Sequence, residues 1–456
     1  HKLMTIDVPE YMKATLDGRF KITEIGNVVN NALVNLVPSF RYKKVSPNQS
    51  FAFDVYVQQN LLKYIDPSIQ IEPDTHIKGF IDGTKNQLQA DLQTPGIKYA
   101  GIQLFQSDVN LNTIAEVPTL NARIDSLKVS GVTLNALNIN SIPKNDTLVL
   151  TTDFNIGRTN PILFNLNLFH TLQNKNDLIF GFSPSTVMID STKWTINHLN
   201  DANSNRMIFN RINKSLKVED FSLESEDQYL KVSGLFTNKE DFNFNADFKD
   251  LHLEKIIPKT LLNNLKIVGV ANGKVDVVRT KEKLEPTLQA KIDSLGLNDF
   301  ELGNLTLEGG YNVADKTFNF DASLQKEQIQ SMVAYGNIIN KPTGPEIDVD
   351  ANFDEFHVDF LEGFLKSVFS NMRGTLSGDV KLKGPVMQPD ITGTLMGKDL
   401  GLKVNFLGTD YLFEGENELF VTKQGAGQGI IMLNDVNFKD TAYNTSQEKI
   451  DRQVAN

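Results

Sequence analysis

The chain has 456 residues, 40% of them hydrophobic and 9% aromatic, which is enough to bury a core and too apolar for a disordered chain. Its net charge of -11 argues against nucleic acid and against an electrostatic grip on anionic headgroups, while leaving contact with acyl chains open. Cysteine is absent, which excludes disulfides, thiolate metal sites and cysteine nucleophiles, and no run of 18 apolar residues supplies a transmembrane helix.

The opening residues "HKLM" read as a cloning scar and no signal peptide is visible, so the chain reads as a piece of something longer. "TEIGNVVNNALVNLVPSF" places Ile25, Val28, Val29, Ala32, Leu33 and Leu36 at helical spacing, with Thr23 as N-cap and Pro38 as stop. From about residue 51 the period becomes two. "PILFNLNLF" sets Ile162, Phe164, Leu166 and Leu168 against Asn165 and Asn167, and "TFNFDASL" sets Phe318, Phe320, Ala322 and Leu324 on one side. Such alternation marks antiparallel sheet with one buried and one wet face. The last residues, "SQEKIDRQVAN", read as a polar tail.

Internal repetition is the strongest signal. "NADFKDLHLEKIIPKTLLNNLKIVGVANGKVDV" and "DANFDEFHVDFLEGFLKSVFSNMRGTLSGDVKL" align without a gap. Phe248 matches Phe353, His252 matches His357, Gly269 matches Gly374 and Gly273 matches Gly378, always 105 positions apart. Each unit reads as strand, short amphipathic helix, strands; the second helix carries Phe360, Leu361, Phe364, Leu365, Val368 and Phe369 on one stripe. A third, more distant copy is "FDVYVQQNLLKYIDPSIQIEPDTHIKGFIDG", in which Gly79 and Gly83 stand for the glycine pairs. Beyond each pair, Leu88, Ala90 and Leu92 answer to Leu288, Ala290 and Ile292, and to Ile391, Gly393 and Leu395. The expected divisions are 1–50 (helical entry segment), 51–240 (first β unit plus insertion), 241–345 (second unit), 346–440 (third unit) and 441–456 (tail).

Alternation assigns faces, because side chains at i and i+2 share a side. One face holds Ile77, Gly79, Ile81 and Gly83 in the first copy and Ile267, Gly269, Ala271, Gly273, Val275 and Val277 in the second. In the third it holds Met372, Gly374, Leu376, Gly378, Val380 and Leu382. The glycines thus lie on the apolar face rather than in turns. Glycine costs a strand about 0.5–1 kcal/mol relative to alanine. Two reasons for that cost stand open: tight curvature or close packing of the sheet, or an unfilled apolar face along which a ligand lies. On the second reading, Gly273→Leu with Gly378→Leu removes the ligand's path without unfolding the chain.

Catalytic chemistry is hard to find. The six histidines lack metal-ligand spacing, and His252 and His357 share a repeat position that suits a helix start. No nucleophile elbow, Walker or dinucleotide motif occurs. "DANSN" at 201–205 lacks the acidic pattern of a calcium loop. Asp348 and Asp350 alternate with Ile347 and Val349, as on the wet face of a strand. Trp194, the sole tryptophan, belongs in a core or on a rim. The expectation is a protein that is not an enzyme and needs no cofactor or metal.

The run "MRGTLSGDVKLKGPVMQPDITGTLMGKDLGLKVNFLGTDYLFEGENELF" resembles the C-terminal region of the TamB family (translocation and assembly module), through "G-x-L-x-G-x-V-x-L-x-G" followed by "P-D-I-T-G". "GRFKITEIGNVVNNALVNLVPSF" is similar to the AsmA-like portions of such proteins of Bacteroidota type. The resemblance covers about 370–440 specifically and 15–110 and 240–370 more loosely. It implies a mainly β fold: an elongated, curved, open antiparallel sheet, or β-taco groove, with a few short amphipathic helices. It further implies a periplasmic protein anchored in the inner membrane, carrying phospholipid acyl chains toward the outer membrane in the manner of bridge-like lipid-transfer proteins. An Omp85-type outer-membrane protein is the implied partner. The alternative is a scaffold or chaperone in outer-membrane protein assembly that captures a client strand at a sheet edge. An adhesin of closed sandwiches is disfavoured by the inward glycines.

Overall fold

The computed structural model describes residues 1–59, 68–115, 117–144, 146–158, 160–238, 240–258, 266–281, 283–298, 300–425, 429–434, 438–440 and 454–455. Strands take up 69% and helices 5% of it, so the fold is mainly β, antiparallel and not a closed barrel. Two compact units divide the chain: residues 1–226 with 231–238, and residues 227–230 with 239–456.

In the first unit the long strands pair in series, and the two-residue strand Gln70–Ile71 pairs out of order with Gln87–Tyr99. The series begins with a hairpin, Lys2–Val8 on Met12–Arg19, so strand structure starts well before residue 51. The hairpin's second arm carries the period-two signal openly, with Met12, Ala14, Leu16 and Gly18 on one face and Lys13, Thr15, Asp17 and Arg19 on the other. The series continues through Ser50–Val57, Thr75–Asp82, Gln87–Tyr99, Ile102–Asn112, Thr119–Val129, Val132–Lys144, Thr147–Ile156, Ile162–Gln173 and Asp177–Ile189. The last of these pairs along one half with Thr192–Ile196 and along the other with Arg206–Asn210. The sequence between them closes on itself, with Asp201 N donating to Asn197 Oδ1 at 2.8 Å and Asn203 N to Asp201 Oδ1 at 2.8 Å. Trp194 is fully buried and is a core residue.

The helix of the entry segment is Ile25–Leu33, preceded by a 3-10 turn, Ile22–Glu24. Thr23 therefore lies inside that turn and is not the N-cap; Glu24 holds the position. Its carboxylate instead ties down the following loop, accepting from Ser46 N at 2.6 Å and Gln49 Nε2 at 2.8 Å. Val28 and Ala32, both fully buried, press onto Phe51, Ile81 and Leu88 of the sheet. The chain then reaches the far strands: Arg41 Nη2 donates to the Lys175 carbonyl at 2.9 Å, and Arg211 donates to the Ser39 carbonyl. Seven pairings separate the strand of Leu88 from that before Arg211, about 34 Å along a flat sheet. The seven residues from Ala32 to Ser39 span at most about 25 Å, and hydrogen bonds from Leu36 N and Val37 N to the Leu33 carbonyl shorten them further. The sheet of this unit is therefore coiled along that rim.

The second unit runs Asp241–His252, Ile267–Arg279, Leu284–Leu297, Phe300–Asn312, Thr317–Lys326, Ile329–Lys341, Gly344–His357, Phe369–Pro385 and Asp390–Val404, again pairing in series. Asp390–Val404 then pairs with both Thr409–Phe413 and Glu416–Lys423. The 105-residue repeat is written into the backbone as bulges. Asp250 and Glu355 have φ of 48° and 46°, Ser294 and Asp399 have 49° and 52°, and Gly269 and Gly374 have 142° and 100°. Each sits at a register shift, where a bulge bends its strand. The short helices are smaller than expected. Leu253–Ile256 is a single turn with His252 at its N-cap, and the rest of that expected helix lies outside the described residues, as do residues 60–67 of the copy that holds Gly79. In the third copy Asp359–Leu361 and Glu362–Leu365 are helical, His357 ends the preceding strand, and Phe369 already belongs to the next.

Candidate functional site

Strand register turns the alternation into rows running across the sheet. In the second unit one row is Phe248, Gly273, Ala290, Leu307, Ala322, Ala334, Ala351, Val380, Gly393 and Val421, each in register with the next on the adjoining strand. It is uncharged and mostly small. Beside it run Val275, Leu288, Gly309, Phe320, Gly336, Val349, Leu382 and Ile391 on one flank, and Ala271, Ile292, Leu305, Leu324, Met332, Phe353, Gly378, Leu395 and Leu419 on the other. One position along each strand, the opposite face reads Lys274, Gln289, Glu308, Asp321, Tyr335, Asp350, Lys381 and Thr392, all exposed. The core cluster of Ala334, Val349 and Ala351 with Phe320, Ala322, Ile347, Phe353 and Leu382 is drawn from the apolar face alone. These side chains pack sideways against one another.

The first unit has equivalent rows. Ile77, Leu92, Val109, Ala122, Ile139, Thr152 and Leu166 form one; Gly79, Ala90, Leu111, Leu120, Ser141, Leu150 and Leu168 form the next. Ile81 and Leu88 share the face, but at 1% and 4% exposure they are sealed under the Ile25–Leu33 helix and are closed to a ligand.

The predicted lining needs further correction at the glycines. Gly83 is in the turn after Thr75–Asp82, where the Asp82 carboxylate accepts from Thr84 N and Lys85 N. Gly79 pairs with Phe53 and Ala90, as Gly273 pairs with Phe248 and Ala290, and Gly378 with Phe353 and Leu395. Gly79 therefore corresponds to Gly273 and Gly378, four residues from the frame the sequence suggested. Likewise Leu395, not Gly393, stands at the Ala290 position. Gly269 and Gly374 are bulge residues with positive φ, and Ile267 and Met372 lie beyond those bulges, where simple alternation no longer assigns a face.

Nor are the glycines of the apolar face vacancies where they pair with a phenylalanine or leucine. A β-carbon on Gly79 would meet Phe53 Cζ at 2.6 Å, and one on Gly273 would meet Phe248 Cζ at 2.6 Å. On Gly378, with φ of 137°, it would meet Leu395 Cα at 3.0 Å. The same cover recurs with Phe320 over Gly336. Aromatic rings thus fill the space beside Gly79, Gly273 and Gly336, while the backbone of the neighbouring strand crowds Gly378, so leucine at Gly273 or Gly378 would report on folding rather than on lining. The remaining predicted residues, Ala271, Val275, Val277, Leu288, Ala290, Ile292, Leu376, Val380, Leu382, Ile391, Gly393 and Leu395, occupy strand positions with the same alternation.

The wet face is electrostatically organised. Lys381 reaches Asp348 at 3.3 Å and Asp350 at 3.1 Å, and Lys383 reaches Asp348 at 2.9 Å. The hydrogen bond from Lys383 holds the Asp348 carboxyl below its ordinary range. Recesses of about 750 Å³ and 770 Å³ open on this wet face, one in each unit. Sequence reasoning missed them, since a twisted sheet is saddle-shaped and hollows both of its faces. The apolar rows carry no charge, and Thr152 and Ser141 are the only hydroxyls in the rows named above; what the rows offer is hydrocarbon contact, about 0.8 kcal/mol per buried methylene. No family model matches the chain, and neither a curated protein nor a solved structure is similar to it.

Proposed function

We propose that this chain is a periplasmic segment of a TamB-like bridge for lipid transfer, along which phospholipid acyl chains slide on the apolar sheet face. The observation that supports this most is the uncharged row from Gly273 to Val421, flanked by larger apolar rows and backed by an exposed charged face. A methylene chain laid along the rows meets similar contacts at each strand step of about 4.8 Å. Its binding free energy then changes little from step to step, so it can be held and still move. Headgroups stay at the open edge, in water. The step is passive guidance with no covalent chemistry and no cofactor. In this reading the full-length protein is anchored in the inner membrane and hands lipid to the outer membrane, with an Omp85-type protein as the partner there.

Mass spectrometry of the purified protein under native conditions, followed by organic extraction, tests the reading. Phospholipid in the extract, lost after detergent exchange and regained from vesicles, is the expected result. A chain that neither retains nor takes up phospholipid contradicts it.

A further inference from the structure

The wet face of the first unit holds a feature that acyl-chain guidance does not use. His76, Gln93, Asp108, Arg123, Asn138 and Asp153 stand in register on successive strands, and Lys78, Asp91, Asn110, Asn121 and Asn140 form the adjacent row. Together they line the recess of about 750 Å³, within the range of small-molecule sites. A second recess of about 380 Å³ shares Lys78 and Asp91 with it and adds Phe80. Phe80 is 40% exposed, a large aromatic ring on an otherwise polar face. Two carboxylates are already aimed by neighbours: Asn110 Nδ2 donates to Asp91 Oδ1 at 2.6 Å, and Asn138 Nδ2 to Asp153 Oδ2 at 2.8 Å. Lys78, Arg123, Asn121 and Asn140 make no side-chain hydrogen bond or ion pair among the described residues, so their donors and acceptors face the recess unspent.

From this geometry we infer that the recess binds a neutral oligosaccharide. Planar amides, carboxylates and a guanidinium in rows offer paired donors and acceptors to vicinal hydroxyls. Phe80 presents a ring face, electron-rich at its centre, to the C–H side of a sugar. The strand spacing of about 4.8 Å repeats these groups at a regular interval, which suits a ligand built of repeating units. Charge selects among glycans: five carboxylates, Asp17, Asp54, Asp91, Asp108 and Asp153, outnumber Lys78 and Arg123 around the two recesses, which repels polyanions. The site lies on the face opposite the apolar rows, so it stands or falls independently of lipid guidance.

Isothermal titration of the full chain with cellohexaose and chitohexaose tests it, with oligogalacturonate as the anionic control. Binding of at least one neutral hexasaccharide is expected, weakened at least about tenfold in Phe80→Ala and in Asn121→Ala, with oligogalacturonate silent. Thermal melts of both variants guard against misfolding, and Asn167→Ala, on the same face outside the recess, should bind like the parent. Two results would overturn the inference: neither neutral hexasaccharide binding at millimolar concentration, or binding that folded Phe80→Ala and Asn121→Ala leave unchanged.

Discussion

The ring of Phe248 lies over Gly273 on the neighbouring strand, with its Cζ 2.6 Å from where a β-carbon on that glycine would be. The pair resolves the two reasons the sequence left open for its glycines: the ring needs the space, and the sheet gains an aromatic contact where a side chain is missing. Gly273→Ala should therefore lower the urea midpoint, at a cost of more than about 1 kcal/mol, since ring and neighbouring strand must both give way. Gly310→Ala is the matched control, because nothing lies within 4 Å of its would-be β-carbon. It should be neutral or slightly stabilising.

The bulges predict a second, repeated cost. Asp250 N donates to Asn272 Oδ1 at 2.9 Å, and 105 residues on, Glu355 N donates to Ser377 Oγ at 2.9 Å. Both bonds hold a positive-φ residue that has left the strand ladder. Asn272→Ala and Ser377→Ala should each cost about 1 kcal/mol, and the double variant the sum. Denaturant titration of the three variants checks both magnitude and additivity.

His170 makes stability depend on pH in a definite window. It is 5% exposed, stacks on Phe180 at 4.2 Å, and its Nδ1 bonds the Ile179 carbonyl at 2.9 Å while Nε2 is buried with no partner among the described residues. Burial, aided by the Arg211 charge, pushes its imidazole below the ordinary value of 6.5. Below that pH the unfolded chain takes up a proton that the folded chain refuses, so stability falls as pH drops through 6.5 and is full above it. Urea midpoints should fall between pH 7.5 and 5.5, and His170→Gln should flatten that step. Glu24 acts in a separate, lower window: the backbone N–H of Ser46 lowers its carboxyl, so its contribution is present above about 4.5 and lost as pH falls through its folded value.

Much of this was legible in the sequence because period-two patterning is local. Leu166 and Asn167, or Leu307 and Glu308, declare opposite faces by themselves, and a constant 105-residue offset needs only counting. What escaped was set across strands. Gly79 pairs with Phe53, 26 residues away, and only the register reveals that it matches Gly273 rather than Gly269. Ile81 and Leu88 looked like their neighbours until a helix from another part of the chain covered them. Alternation alone sets Phe80 opposite Gly79 and Ile81, but its place beside the row of Lys78, Asp91 and Asn121 depends on three intervening pairings.

The most direct test of lipid guidance compares two adjacent residues on opposite faces of one strand. A photoreactive phenylalanine analogue is placed at Leu307, in the middle of the apolar row, and separately at Glu308, on the exposed face. After irradiation with phospholipid vesicles, mass spectrometry should find lipid joined at position 307 and not at 308. Equal labelling at both positions, or lipid bound with none joined at 307, would contradict the assignment of the apolar rows as the acyl-chain path.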